Sequence, residues 1–311
     1  MTSLEAVSTY VPAQATPVEP YLERLGVDEE KRNLYGLFFG FKEIRTEPES
    51  SITDLMRSAL GKLDLAGRAE RVRYLVQAST ILSSSYPTSP LHEVRAEFGL
   101  HDATTFSVSQ HACASGLLAV DVCGKLLAAD VARGGDPDAL GLVLVGEKTF
   151  TEVARIADAA VMGEGMAAVL VSHNGNADRL VSYATRGYGE FCRAPWLDAE
   201  QSARFDQVYP AALAEVITLA LDKAGLTAAD LSLVLPHHVN RMSWLRAAKT
   251  LGIPKDRILL QNLPNYGHSF GADSFINYQT AVELGRLEPG DHYLMTAVGL
   301  GATFAAMVFQ H

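Results

Sequence analysis

Apolar positions recur with two different periods along the chain. Spacings of three and four over 52–63 predict an amphipathic helix, and the apolar run 72–78 predicts a buried strand. A second, more apolar helix is predicted over 115–128, with strands over 140–145 and 166–171. Further on, Leu213, Val216, Ile217, Ala220 and Leu221 define a strong helix over 209–224. Gly225 ends that helix, and 231–235 is the strand that follows. A helix over about 275–284 and a strand over 293–298 complete the series.

The order repeats. Each half reads helix, strand, a loop with a chemically distinctive residue, helix, strand. The loop of the first half leads to Cys113, and that of the second leads to His268. A duplicated α/β unit around a mostly parallel sheet is expected. The polar stretch 174–178 marks the join, so the halves are 1–173 and 174–311. With no long linker or low-complexity segment, they are expected to pack as one body.

Composition narrows the function. The 311 residues are 48% hydrophobic and 20% charged, a globular balance. With 36 acidic residues against 26 basic ones, a general nucleic-acid-binding surface is not expected. No run reaches the roughly 18 uncharged apolar residues of a membrane span. The first 18 residues carry Glu5, Pro12 and Pro17 and no Lys or Arg, unlike a secretory or transit signal. A cytoplasmic protein is therefore expected. Cys113, Cys123 and Cys192 form no CxxC pair and are odd in number, so free thiols are expected rather than disulfides or a metal site.

Four segments carry candidate chemistry. In Ala-Cys-Ala-Ser-Gly (112–116), Cys113 has small neighbours and precedes a helix, whose positive end favours a thiolate. Such a cysteine is either a nucleophile or a buried structural thiol. Cys123, inside the helix, reads as core, and Cys192 falls in a loop. The segment Pro-His-His-Val-Asn (236–240) ends an apolar strand, where functional groups gather in α/β sheets. Its histidines read as an acid, a base or an oxyanion donor, or as plain polar caps. A metal is not expected, because adjacent side chains diverge. In 265–273, Gly267 and Gly271 frame His268 before a helix, without the lysine of a phosphate-binding loop. Finally, Val-Gly-Leu-Gly-Ala-Thr (298–303) makes a turn whose N–H groups suit an oxyanion.

Together these segments resemble the ketoacyl-acyl-carrier-protein synthase III family of the thiolase superfamily, over nearly the whole chain. Residues 112–116 resemble its nucleophile segment, Met162-Gly-Glu-Gly165 its glycine-acid-glycine turn, and 237–240 its His-Gln-Ala-Asn motif. Residues 297–303 are similar to its last strand and turn. The resemblance implies a five-layered αβαβα thiolase-like fold, a homodimer, and Cys113, His237 and His268 as catalytic residues. It also implies an oxyanion hole from the N–H groups of Cys113 and Leu300. His268 stands where the family usually has asparagine, and resembles the Gly-His loop of elongating synthases and thiolases. No lysine falls within 259–266 and no tryptophan within the first half. A carrier-protein donor is therefore favoured over coenzyme A. Arg241, Arg246 and Lys249 are candidates for docking an acidic acyl carrier protein, or form an ordinary solvated face.

The implied activity is an acyltransferase without a cofactor, in fatty-acid, polyketide or secondary metabolism. It takes an acyl group onto Cys113 and condenses it with a malonyl-type carrier thioester, with loss of carbon dioxide. The alternative is transfer to a hydroxyl or amine without decarboxylation; a non-catalytic partner subunit is the third reading.

Overall fold

The structure, a computed structural model, describes residues 1–80, 89–149, 156–157 (backbone only), 159–194 and 196–311. The first half contributes β1 (Thr2–Tyr10), α1 (Ile52–Leu60), β2 (Val72–Ala78), α2 (Pro90–Glu97) and β3 (Thr104–Val108). It continues with α3 (Ser115–Ala132), β4 (Leu140–Glu147) and β5 (Gly165–His173). The second half contributes β6 (Arg179–Gly187), α4 (Ala199–Ala224), β7 (Leu231–Pro236) and α5 (Arg241–Leu251). It ends with α6 (Asp273–Glu283), β8 (His292–Gly299) and β9 (Thr303–Gln310).

The main sheet has the order β7-β8-β9-β6-β1-β5-β4-β2-β3. Counted inward from its edge, the first half runs third, second, fourth, fifth, first. The second half runs second, fourth, fifth, first, and Ile258, bridged in parallel to Val234, takes the place of a third strand. Strand directions repeat as well. In each half the second and fourth strands are parallel, while the fourth–fifth and fifth–first pairs are antiparallel. An antiparallel contact of Ser3 with Arg179 joins the halves. The fold is a duplicated one, but the sheet is mixed rather than mostly parallel. Strands buried on both faces look alike in sequence whichever way they run, so direction had to come from the connections.

Alternation along the strands builds the layers. In β4, Leu142 and Leu144 face Leu55 and Met56 of α1, whereas Val143 and Val145 face the other way, toward α3 and Phe275 of α6. In β8, Leu294 packs with Leu213 and Ile217 of α4, and Tyr293 and Met295 turn to the central cluster. Helices α3 and α6 thus lie between the two half-sheets, with α1 and α2 outside one and α4 and α5 outside the other. This is the αβαβα arrangement. Helix α3 is apolar because strands from both halves press on it.

Helix α4 starts ten residues before the expected 209. Asp198 caps it by accepting from Gln201 N at 2.8 Å, and Phe205 and Val208 anchor the added turns. Pro210 is tolerated inside it, which the rule that proline breaks helices does not anticipate.

Candidate active site

Cys113 lies in a tight 3-10 turn, Ala112–Ala114, that runs directly into α3. Ala112 holds φ at 45°, a left-handed conformation unusual for alanine, which sharpens the turn. The thiol is nearly enclosed, with 4% of the residue exposed. Gly299, at the end of β8, comes so close to this turn that a Cβ there would collide with the carbonyl of His111. The hairpin turn holding Leu300 is thereby pressed against the Cys113 segment from the opposite half. The Leu300 side chain itself is exposed.

His268 reaches Cys113 from the loop before α6, with Nε2 at 3.3 Å from Sγ. Its backbone is clamped by the glycine-acid-glycine turn. The His268 N–H donates to the Val161 carbonyl at 2.9 Å, and Gly163 N–H donates to the His268 carbonyl at 3.0 Å. Glu164 in that turn is buried and accepts from Glu47 N at 2.8 Å and from Lys148 Nζ at 3.3 Å. The hydroxyl of Thr80 lies 3.5 Å from Sγ on the other side.

Asp273, the first residue of α6, is completely buried behind His268. One of its oxygens is 2.5 Å from His268 Nδ1 and accepts from His238 N–H at 2.6 Å. The other accepts from Ser269 N–H at 2.7 Å. A carboxylate can only accept, so His268 Nδ1 carries its hydrogen and Nε2 is left to exchange a proton with the thiol. Burial lowers the proton affinity of His268, but the charges of Asp273 and of a Cys113 thiolate overcome this and raise its pKa. For Asp273, burial acts to raise the pKa, and the charges of His238 and His268 overcome it and hold the carboxyl well below its ordinary range.

The two expected histidines of 236–240 behave differently. His237 is neutral: burial, then the neighbouring His268, pushes its pKa down to about 3. Its Nε2 is 2.9 Å from the hydroxyl of Tyr209 on α4, and its ring centroid is 6.1 Å from that of His268. Trp244 Nε1 fixes its carbonyl at 2.9 Å. His238 points away from the thiol into a polar pocket. Its Nδ1 faces the Gly267 carbonyl at 3.0 Å and Asp273 at 3.2 Å; its Nε2 faces Asn277 Oδ1 at 3.0 Å. Asn277 Oδ1 also accepts from Asn262 Nδ2 at 2.8 Å, so it is an acceptor. Both ring nitrogens of His238 must donate, which makes it an imidazolium. Burial opposes that charge, and Asp273 and Asn277 prevail and raise its pKa.

The other sequence candidates are placed as follows. Asn240 caps α5 by accepting from Ser243 N at 2.7 Å. Arg241, Arg246 and Lys249 are exposed along α5, and Arg241 donates to the Leu37 carbonyl at 2.9 Å. Cys123 is core, its pKa pushed up to about 12 by burial, and Cys192 is exposed. Among the described residues no cluster of His, Cys, Asp and Glu is arranged for a metal. Sequence reasoning gave no role to Asp273, Tyr209 or Thr80. Asp273 had one available signal, a carboxylate five residues after a loop histidine and at the start of a helix.

This layering and strand order define a thiolase-like fold. The chain matches the solved 3-oxoacyl-[acyl-carrier-protein] synthase III of Aquifex aeolicus VF5 with a TM-score of 0.82, over 100% of both chains at 22% identity. It matches ChlB3, described as an acyltransferase, with a TM-score of 0.84 over 99% of this chain and 97% of that one, at 19% identity. The priming β-ketosynthase of the R1128 polyketide pathway matches with a TM-score of 0.80 over 100% and 96%, at 18% identity. In sequence, residues 221–311 match the family described as 3-oxoacyl-[acyl-carrier-protein (ACP)] synthase III C terminal. The β-ketoacyl-[acyl-carrier-protein] synthase III of Aquifex aeolicus is 26% identical over 286 residues, 88% of each chain. The resemblance to ketoacyl-acyl-carrier-protein synthase III holds, and the chain is an enzyme similar to that family.

Proposed function

We propose that this enzyme takes an acyl group from a carrier thioester onto Cys113 and passes it to a hydroxyl or amine acceptor without decarboxylation. The observation that carries this is the line Cys113–His268–Asp273. A buried carboxylate that fixes the tautomer of a histidine in contact with a thiol is the arrangement of a nucleophile, its base and the group that orients the base.

His268 takes the thiol proton. The thiolate attacks the thioester carbonyl, and the oxyanion is held by the N–H groups of Cys113 and Leu300. The C–S bond to the carrier then breaks, and His268 returns the proton to the departing thiolate. An acceptor next gives its proton to Nε2 of His268, and its oxygen or nitrogen bonds to the acyl carbon. Collapse releases the ester or amide and regenerates the Cys113 thiolate. Asp273 stabilises the imidazolium at both stages. The same reading takes 1–173 and 174–311 as two units, one supplying the nucleophile and the other the base; the repeated strand order supports this division. A carrier protein docked along Arg241, Arg246 and Lys249, a homodimer and a cytoplasmic setting belong to it as well.

Condensation with a malonyl thioester is the second reading, favoured by the names of the relatives. It calls for two N–H donors at the thioester oxygen, and His237 has its Nε2 against Tyr209. The deciding experiment loads Cys113 from a panel of acyl thioesters and follows its discharge by intact mass. Discharge by hydroxylamine or alcohols, with none by malonyl thioester, is expected. Discharge by malonyl thioester with release of carbon dioxide would overturn the proposal in favour of condensation.

A further inference from the structure

We propose that Tyr209 is a specificity-determining residue: by engaging Nε2 of His237 it withholds the second N–H donor that decarboxylation needs, and so reserves acyl-Cys113 for acceptor transfer. This rests on the transfer reading above. The contact is 2.9 Å between the Tyr209 hydroxyl and Nε2, inside a buried pocket. Tyr209 is wedged there by Phe205 and Phe304, whose ring centroids lie 5.7 and 5.3 Å from its own. Burial, and then the charge of a Cys113 thiolate, raises the pKa of Tyr209 and keeps the phenol protonated.

A count of unpaired groups does not set the direction of the bond: whichever partner donates, one donor and one acceptor are left over. The Thr296 carbonyl decides it. It raises the proton affinity of the His237 ring, and Nε2 is already turned to Tyr209. A carbonyl can only accept, so Nδ1 keeps its hydrogen, Tyr209 donates and Nε2 accepts. The neutral imidazole then keeps its hydrogen on Nδ1, and Nε2 has none to offer. Loss of carbon dioxide from a malonyl thioester puts negative charge on the thioester oxygen, which must be met by donors. Here His237 Nε2 is occupied as an acceptor. A hydroxyl or amine acceptor develops no such oxyanion of its own and needs only the base His268.

The test uses the full-length enzyme and its Tyr209→Phe variant, each acylated at Cys113 from the best thioester of the panel. Discharge is measured with hydroxylamine and with malonyl-coenzyme A, together with release of carbon dioxide. In Tyr209→Phe the proton of His237 is free to move to Nε2. The ratio of malonyl to hydroxylamine discharge should then rise between about tenfold and 10²-fold, up to the low end of what one oxyanion donor is worth. An unchanged ratio, with a wild type silent toward malonyl-coenzyme A, overturns the assignment of Tyr209 alone. A wild type that already condenses overturns the transfer reading and this inference with it. Nitrogen-15 NMR of the histidines is independent of turnover and of the variant's folding. It should find His237 in the wild type as the Nδ1–H tautomer with Nε2 accepting a hydrogen bond. An Nε2–H tautomer there would refute the proposal.

Discussion

His238 and Asp273 form a buried ion pair beside His268. The imidazolium of His238 lies 3.2 Å from one oxygen of Asp273, and its backbone N–H donates to the other at 2.6 Å. The carboxylate that holds Nδ1 of His268 is thus itself held by His238, whose ring is turned to Gly267, Asp273 and Asn277. The pair ties the end of β7 to α6, so the placement of His268 depends on the packing of the second half.

Asp273→Asn should separate two effects. Acyl transfer should fall by roughly 10² to 10⁴, because the amide can hold His268 in the wrong tautomer. Stability should fall by about 3–5 kcal/mol, because His238 is left as a buried charge without its partner. Stopped discharge assays and urea titrations measure the two. A variant with normal stability and normal transfer would show that Asp273 is incidental.

Cys113→Ala should abolish the covalent acyl adduct, and Cys123→Ala should keep it. Peptide mapping after incubation with acyl thioesters distinguishes the two. An adduct persisting in Cys113→Ala would place the nucleophile elsewhere.

His268→Asn should lose roughly 10² to 10⁴ in discharge to hydroxyl or amine acceptors, since asparagine cannot take a proton. Loading should slow as well, because His268 touches the thiol. Raising the pH, which deprotonates the thiol without help, should restore loading more than discharge. Equal restoration of both would argue that His268 acts only before acylation.

The contribution of His238 to stability should depend on pH. Its folded pKa is raised, so its stabilisation is fully present below the unfolded value of about 6.5 and is lost as pH rises through the folded value. The difference in unfolding free energy between wild type and His238→Gln should therefore be largest in mild acid and shrink at alkaline pH. Urea midpoints from pH 5.5 upward, above the ordinary carboxylate range of about 4, measure it. A difference that grows with pH would mean that His238 is neutral.

Replacing Arg246 and Lys249 by Glu should slow loading from acyl carrier protein more than loading from the matching coenzyme A thioester. Both side chains are exposed on α5, whereas Cys113 is buried. Equal losses with the two donors would remove this face from carrier docking.

The sequence carried the architecture well, because periodicity reports burial, and burial on one or two faces distinguishes surface helices from core strands. It singled out Cys113 and His268, which the fold brings within 3.3 Å of each other, for a similar reason: small residues and glycines mark places where backbone must come close. What it could not carry was orientation. Nothing in His-His at 237–238 tells which ring turns to Tyr209 and which becomes a buried cation. That depends on Asp273, Asn262 and Asn277, which lie 24–40 residues away in the chain. Tyr209 escaped notice because an aromatic at helical spacing reads as core, and it is core, apart from one oxygen atom.

Helices α3 and α6 occupy corresponding places in the two halves, and both begin at the reaction centre, one after Cys113 and the other with Asp273. Two rows of peptide dipoles therefore point their positive ends toward the pocket of Cys113, His268 and Asp273. The doubling of one structural unit thus supplies favourable backbone dipoles from both halves. Negative charge on the sulfur of Cys113 and on the carboxylate of Asp273 would each be met by the positive end of a helix, one from each half.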